Sequence, residues 1–296
     1  MFILLSAIFV GFFSVGYKIL GIKRYNSNMF LCIYSMFFSL AAFFGAVVLH
    51  ESISNSLSLV FGMINGLFMY FAVLLYTQVV KYVRLNISWS VLQFSLIVPV
   101  LVSIFVYKEE AGIHVYIGIL LILLAIYAFG RGKGTGKELG KEKSTGSNPA
   151  VPDVKLGIML LLSTLFSGAT NAVPQVYVSY AESGGNFPLL FYTGITIFML
   201  SLLHLLIKRN KEYKEISFGL ITLSVYMGFV QMLAIFFLLL ALRIFPGVVV
   251  FPLRNVTALL VIYAVSYLFF KERLNRVEGL GVVFTVFAIV LISMAL

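Results

Sequence analysis

The sequence predicts an all-α membrane protein in which ten transmembrane helices form two inverted five-helix repeats around a central cavity. Of the 296 residues, 61% are hydrophobic and 11% are charged, with a mean hydropathy of +1.06, so a soluble domain would expose apolar surface that it could not cover. Apolar runs of about 20 residues, each long enough to cross a hydrocarbon core of roughly 30 Å, recur along the whole chain. A short motif also occurs once in each half.

The repeated motif is an aromatic-Lys-Glu triplet followed by a glycine that opens an apolar run. It occurs as Tyr107–Glu109 with Gly118 and again as Phe270–Glu272 with Gly281, and both spacings are 163 residues (272 − 109 and 281 − 118). An apolar stretch precedes and follows each copy, which indicates an internal duplication. Inverted repeats of this kind are common in secondary transporters, so the duplication favours a transport protein.

Ten spans follow from the apolar runs, five on each side of a segment rich in Gly, Lys and Ser that cannot pack a core. The predicted organisation is therefore a first five-helix repeat at residues 1–129, a flexible linker at 130–155 and a second repeat at 156–296. The first span has no basic segment before it and no small-residue cleavage site, so it is expected to be a retained helix. The predicted spans are residues 2–20, 29–49, 57–80, 86–106, 113–129, 156–178, 187–207, 217–242, 246–269 and 277–296.

The distribution of basic residues between the two sides of the membrane tests the number of spans. Because each half has an odd number of helices, the second half enters the membrane in the opposite sense to the first. Eighteen of the 21 Lys and Arg residues fall on one side, Lys108 and Arg243 fall on the other, and Arg254 lies inside a span. The basic side should be cytoplasmic, which predicts a multi-pass protein of the cell membrane with both termini outside and the linker inside. The net charge of +10 follows from this bias and requires no nucleic-acid partner.

Two stretches, Pro99–Gly118 and Phe251–Gly281, combine a proline, an apolar helix, the aromatic-Lys-Glu triplet and the later glycine. With the paired glycines Gly11 and Gly168, and Gly62 and Gly228, they resemble the EamA-like branch of the drug/metabolite transporter superfamily. This resemblance implies a helical bundle whose central cavity opens alternately to either side of the membrane. It also implies small organic solutes such as amino acids, other metabolites, sugars or drugs. Many members of the family have both termini in the cytoplasm, whereas the charges here predict the reverse.

Polar side chains inside a bilayer are costly unless they have partners or face water, so the few in the spans are candidates for a solute site. Ser14 and Asn171, and likewise Asn65 and Gln231, follow the paired glycines by three residues. Such pairs would meet near the axis of an inverted repeat, although hydrogen bonds that hold the helices together are the alternative. The predicted substrate-binding residues are Ser14, Asn65, Gln93, Asn171, Gln175, Gln231, Arg254 and Asn255.

Arg254 is the strongest single candidate. Its guanidinium stays charged, and since no Asp or Glu lies inside any predicted span, the sequence offers it no carboxylate partner there. It could meet an anionic group of the substrate, or it could snorkel to an interface or bind carbonyls freed by Pro252. Since Arg254 would repel a permanent cation, the substrate is expected to be neutral, zwitterionic or anionic. Glu109 and Glu272, which lie at span ends beside Lys, are interpreted as helix-ending turns and not as proton carriers.

The leading functional prediction is a secondary transporter, or permease, that moves a small organic solute. A membrane-embedded lipid-processing enzyme and a non-catalytic membrane scaffold are the alternatives. His50, His114 and His204 are too scattered for a metal site, and no nucleophile–base–acid arrangement is visible, so neither enzymatic activity nor a metal or other cofactor is expected. The expected partners are the solute and the lipid bilayer, with the protein a monomer or homodimer.

Overall fold

The computed structural model describes residues 1–23, 25–79, 91–109, 112–131, 153–181, 185–207, 217–270 and 276–293. These residues form helices and turns, with no strand among them. Most of the predicted linker, residues 132–152, lies outside the described residues, as does Glu272. The helices are α1 (Phe2–Lys23), α2 (Ser27–Val48), α3 (Ser56–Val79), α4 (Val91–Val106), α5 (Ile113–Arg131), α6 (Asp153–Tyr180), α7 (Asn186–Ile207), α8 (Phe218–Leu242), α9 (Gly247–Phe270) and α10 (Arg276–Ser293).

Six of these helices are long and apolar enough to cross a membrane, namely α1, α2, α3, α6, α7 and α8. The other four contain apolar helices of 10 to 17 described residues, at Val91–Val106, Ile113–Ala125, Gly247–Ile262 and Gly279–Ile292. The chain is therefore an all-α membrane protein, as its composition predicts. Whether all ten helices cross the bilayer stays a prediction.

Polar residues set the starts of two helices that are otherwise apolar along their length. The Asn26 side-chain oxygen accepts hydrogen bonds from the backbone amides of Asn28 and Met29 at 3.0 and 3.3 Å, and α2 begins directly after it. Ser217 accepts from the Leu220 amide at 3.2 Å at the start of α8. Such caps use amide hydrogens that have no partner within the first helical turn.

Helix α4 is irregular, which the sequence-based span at 86–106 does not specify. It passes from a 3₁₀ turn (Phe94–Leu96) to a short α-helix (Ile97–Leu101) and then to a π-helix (Val102–Val106). Pro99 lies in the middle and has no amide hydrogen to donate, so the regular hydrogen-bond ladder is interrupted there. Local 3₁₀ and π adjustments of this kind supply other partners for the freed carbonyls in membrane helices.

The helices of the two halves pack mainly on each other. Two pairs of equivalent helices lie along each other, namely α2 with α7 and α5 with α10. The contacts of α3 with α6 and α7 correspond to those of α8 with α1 and α2. In the same way, the contact of α1 with α9 corresponds to that of α6 with α4. Exchanging α1–α5 for α6–α10 leaves these extensive contacts unchanged. Buried apolar side chains of α2, α8 and the first half of α9 contribute much of the core between the halves.

The paired glycines mark the points where helices of the two halves approach closely. A Cβ on Gly11 would overlap a valine side chain of α9, and a Cβ on Gly168 would overlap a valine side chain of α4. The second pair behaves in the same way, because Gly62 lies against the backbone of α7 and Gly228 against that of α2. Each glycine thus makes the contact that its counterpart makes in the other half, with the partner helices exchanged.

Candidate functional site

A cavity of about 90 Å³ lies between six helices, three from each half of the chain. A water molecule needs roughly 10–15 Å³ measured in this way, so the cavity has room for several waters or a small solute. Its walls come from α1, α3 and α4 and from their counterparts α6, α8 and α9. The lining residues are Val10, Phe13, Tyr17, Met69, Ala72, Val73, Tyr76, Leu92, Gln93, Ser95, Ser167, Thr170, Asn171, Gln231, Arg254 and Asn255.

Five of the eight predicted substrate-binding residues line this one cavity, although they are distributed over more than 160 positions of the sequence. They come from four helices, with Arg254 and Asn255 both on α9. Their role in binding a substrate stays a prediction. The five residues are Gln93, Asn171, Gln231, Arg254 and Asn255.

The other three predicted residues lie outside the cavity lining and have protein partners. The Ser14 hydroxyl donates at 2.6 Å to a carbonyl three residues earlier in α1. Asn65 donates to the Thr193 hydroxyl on α7 at 3.3 Å, and Gln175 donates to the Ser103 hydroxyl on α4 at 2.6 Å. For Asn65 and Gln175 these contacts match the alternative interpretation, in which polar side chains hold helices together.

The two symmetric polar pairs reach the cavity through one member each, Asn171 and Gln231. Ser14 is short enough to bond its own helix, which removes any need for a partner elsewhere. Asn65 lies where α3 closely approaches α7, one residue before Gly66, and its side chain is fully buried. The spacing that relates these residues in sequence therefore does not give them equivalent surroundings.

Arg254 is 5% exposed and is held by two neutral acceptors from different helices. Its Nε–H donates to Ser6 Oγ at 2.8 Å, and its Nη1 donates to Asn171 Oδ1 at 3.2 Å. The Ser6 hydroxyl donates in turn to the Ala234 carbonyl at 2.7 Å. No carboxylate among the described residues contacts the guanidinium, so its charge is not balanced by a side chain there.

Ser6 is a functional candidate that is not among the residues predicted from sequence. A single serine in an apolar helix gives little signal, because a hydroxyl can bond a carbonyl of its own helix. Helical periodicity could have identified it. Ser6 lies on the same face of α1 as the cavity-lining residues Val10, Phe13 and Tyr17, and successive members of this set are 4, 3 and 4 residues apart.

Two polar atoms in residues that line the cavity have no hydrogen-bond partner in the described part of the chain. They are an acceptor, Gln231 Oε1, and a donor, Asn255 Nδ2. Gln93 contacts Asn255 only through the Asn255 backbone carbonyl, at 3.5 Å. Buried polar atoms are rarely left without partners in native proteins, so both side chains are candidates for contacts with a solute.

Three aromatic side chains form the wall of the cavity on α1 and α3. Phe13 and Tyr17 meet edge to face with ring centres 5.0 Å apart, and Tyr17 and Tyr76 do so at 4.9 Å. Edge-to-face packing is a preferred arrangement of aromatic rings, and here it gives this side of the cavity an aromatic lining. With 29 Phe and 16 Tyr in the chain, composition alone does not distinguish these three.

At one end of the bundle, Glu109 binds the start of a helix from the other half. Its two carboxylate oxygens accept hydrogen bonds from the Gly247 amide at 3.1 Å and the Val248 amide at 2.8 Å, at the first turn of α9. The residue before it, Lys108, has a positive φ of 50° that turns the chain after α4. The predicted helix-ending turn is present, and it also supplies a carboxylate to the positive end of α9.

A second carboxylate makes the same kind of contact at the same end of the bundle. His50 follows α2 with a φ of 54°, and the next residue, Glu51, accepts from the Phe187 amide at 2.8 Å in the first turn of α7. Nearby, the Arg243 guanidinium donates to Asn186 Oδ1 at 3.0 and 3.1 Å. We call this end of the bundle, with Glu51, Glu109 and Arg243, the capped face.

Residues 1–131 match the EamA-like transporter family. The resemblance predicted from the duplicated motif and the paired glycines is thereby confirmed. No curated protein matches the chain. A solved crystal structure of a protein with 12% sequence identity aligns with a TM-score of 0.72, over 98% of this chain and 99% of that chain. At that identity the likeness shows a shared fold. Together with the six apolar helices, the EamA-like match over residues 1–131 supports a multi-pass membrane protein.

Proposed function

We propose that the protein is a secondary transporter that moves a small organic solute by alternating access of two inverted five-helix repeats. The observation that carries the proposal is the central cavity, which is lined by three equivalent helices from each half and holds a buried cation. Solute sites of inverted-repeat transporters lie at such repeat interfaces, near the middle of the bilayer.

The inversion is supported by how equivalent helices meet. Glu51, just after the end of α2, binds the first turn of α7, and Glu109, just after the end of α4, binds the first turn of α9. In each pair one helix ends where its counterpart begins, so the two run in opposite directions. The exchanged helix contacts and glycine contacts have the same symmetry. A two-fold axis in the membrane plane accounts for all three observations.

Alternating access is supported by the difference between the two ends of the bundle. At the capped face, carboxylates of the first half bind helix starts of the second half. The cavity instead includes residues from the second half of α3 and from the first turn of α4, both away from that face. These contacts favour a state in which the capped face is closed, and opening it would require the carboxylates to release the two helices.

The chemistry of the cavity favours a solute with an acceptor or anionic group. Arg254 and Asn255 Nδ2 present donors, whereas Gln231 Oε1 presents an acceptor. A permanent cation placed 4 Å from Arg254 would be disfavoured by about 4 kcal/mol at an effective dielectric constant near 20. A neutral, zwitterionic or anionic solute avoids that cost, and a carboxylate or phosphate on it would balance the charge of Arg254.

The basic residues favour the cell membrane with both termini and the capped face outside and the 130–155 linker in the cytoplasm. The decisive experiment is uptake of a labelled metabolite panel into proteoliposomes that contain the purified protein, with empty liposomes as the control. We expect saturable flux of at least one neutral, zwitterionic or anionic solute. Turnover of a lipid without solute flux would identify the enzyme alternative, and the lack of both would identify the scaffold.

A further inference from the structure

The hydrogen-bond partners of Arg254 have distinct properties. Ser6 gives its own hydrogen to the Ala234 carbonyl, so its oxygen faces Arg254 only as an acceptor. This chain of two bonds connects α9 to α1 and α8. It also uses the single hydrogen of Nε, and therefore prevents a bidentate contact along the Nε side of the guanidinium. Ser6 positions the guanidinium and leaves its other edge for further partners.

Asn171 is the second partner, and unlike Ser6 it lines the cavity. Its amide nitrogen donates to the Ser167 carbonyl at 3.1 Å, which turns the amide oxygen towards Arg254. The resulting bond to Arg254 Nη1, at 3.2 Å, is longer than the 2.8 Å bond to Ser6. Asn171 is partly exposed, and both residues line the cavity. A neutral amide therefore occupies a position at which a charged oxygen would bind more strongly.

We propose that Asn171 is a specificity-determining residue, whose neutral amide holds Arg254 when no solute is bound and is displaced by a monoanionic oxygen group of the solute. The proposal rests on the proposed transport function for its biological role, but not for its test. Because position 171 carries no charge, the positive charge of Arg254 remains available to the ligand. A carboxylate at position 171 would cancel that charge and occupy the same donors.

The proposal is tested by ligand binding to the purified protein in detergent, measured as the rise in melting temperature with ligand concentration. The probes are acetate, benzoate and inorganic phosphate at equal ionic strength, with benzamide as the neutral counterpart of benzoate. Acetate and benzoate test a carboxylate, phosphate tests a phosphoryl group, and benzoate adds a ring that can contact the aromatic residues of the cavity lining. Wild-type protein should be stabilised by at least one anion and not by benzamide.

Two variants at one position isolate the charge. Asn171→Asp has the shape of the wild-type side chain and should weaken anion binding about tenfold or more, because a charge-assisted bond is lost to an internal ion pair. Asn171→Ser removes the amide without adding charge and should retain anion binding. Anion binding that is equal in Asn171→Asp and wild type overturns the proposal, as does loss of binding in Asn171→Ser with an unchanged melting temperature. Wild-type protein that no anion stabilises also overturns it.

Solute flux separates this proposal from the transport function. If the anion binds as described but no solute crosses the proteoliposome membrane, the anion site stands and the transport function falls. If a solute is transported and Asn171→Asp transports it as well as wild type, transport stands and the role of Asn171 falls.

Discussion

The clearest contrast at the scale of single residues is between two serines of α1. Ser6 accepts the Arg254 Nε–H, whereas Ser14 bonds only a carbonyl of its own helix. Ser6→Ala should leave a charged donor without its partner and reduce the free energy of unfolding by about 1–3 kcal/mol. Ser14→Ala, the matched control, should cost less than about 1 kcal/mol. Thermal unfolding of both variants in detergent measures the difference, and equal losses would mean that the Ser6 contact is unimportant.

Arg254 itself gives the second prediction. Arg254→Lys keeps the positive charge but loses the planar set of donors that contacts Ser6 and Asn171 together, so it should reduce solute flux. Arg254→Ala also removes the charge and should reduce flux further. Initial rates in proteoliposomes, normalised to the amount of folded protein, check this order. Normal flux in Arg254→Ala would contradict the proposed role, as would export of quaternary ammonium compounds against a proton gradient.

The sequence could predict the polar residues of the site only where burying the side chain without a partner would cost much free energy. Amide and guanidinium side chains inside spans need partners, and this rule is enough to identify Arg254, Asn171 and Gln231 from the sequence. Hydroxyl side chains escape the rule because they can bond their own helix, as Thr170 does with the Ser167 carbonyl at 2.8 Å. The rule also cannot tell a cavity from a helix–helix contact, which is why Asn65 and Gln175 belong to the same predicted set.

At the scale of helices, the lengths and positions of the apolar runs place most elements within a few residues. The span predicted at 29–49 corresponds to Ser27–Val48, and that at 246–269 corresponds to Gly247–Phe270. The irregular path of α4 was not predicted, because apolar length says nothing about which carbonyls find partners around a proline. The contact of Glu109 with α9 was missed for a related reason: a carboxylate at a helix end looks solvated until the neighbouring helix start is known.

The third prediction concerns these carboxylates. Glu109→Gln replaces one of two acceptor oxygens with an NH₂ group, which cannot accept from an amide of α9, so the capped face should open more readily. In protein lacking Cys32 and carrying Thr170→Cys, a cavity position, Glu109→Gln should speed labelling by an impermeant thiol reagent applied at the capped face. An unchanged labelling rate would show that Glu109 does not hold this face closed.

A change at the neighbouring residue is the control. Lys108 has a left-handed backbone conformation that glycine adopts without strain, so Lys108→Gly should leave the carboxylate contact intact. The rate at which Thr170→Cys is labelled should be the same with and without Lys108→Gly. Its free energy of unfolding should rise slightly, by about 1 kcal/mol at most. A labelling rate raised as much as in Glu109→Gln would assign the effect to the turn and not to the carboxylate.

At the scale of the whole molecule, the charge distribution predicts orientation. The turns after α2, α4, α6 and α8 meet at the capped face, and the loops that carry eighteen basic residues are predicted at the opposite end. Basic loops are retained in the cytoplasm during insertion, so the capped face should be outside. The expectation runs against the arrangement in many EamA-like proteins. The predicted orientation depends on the number of spans, since one helix more or fewer in either half would place basic loops on both sides of the membrane.

Two single cysteines decide the orientation in protein whose only native cysteine, Cys32, is replaced by serine. Lys108→Cys lies in an exposed turn at the capped face and should be labelled by an impermeant thiol reagent in intact cells. Ser144→Cys lies in the basic linker and should be labelled only after the cells are permeabilised. The two positions control each other, because expression and reagent activity affect both equally. Labelling of Ser144→Cys but not Lys108→Cys in intact cells would reverse the orientation and place the capped face in the cytoplasm.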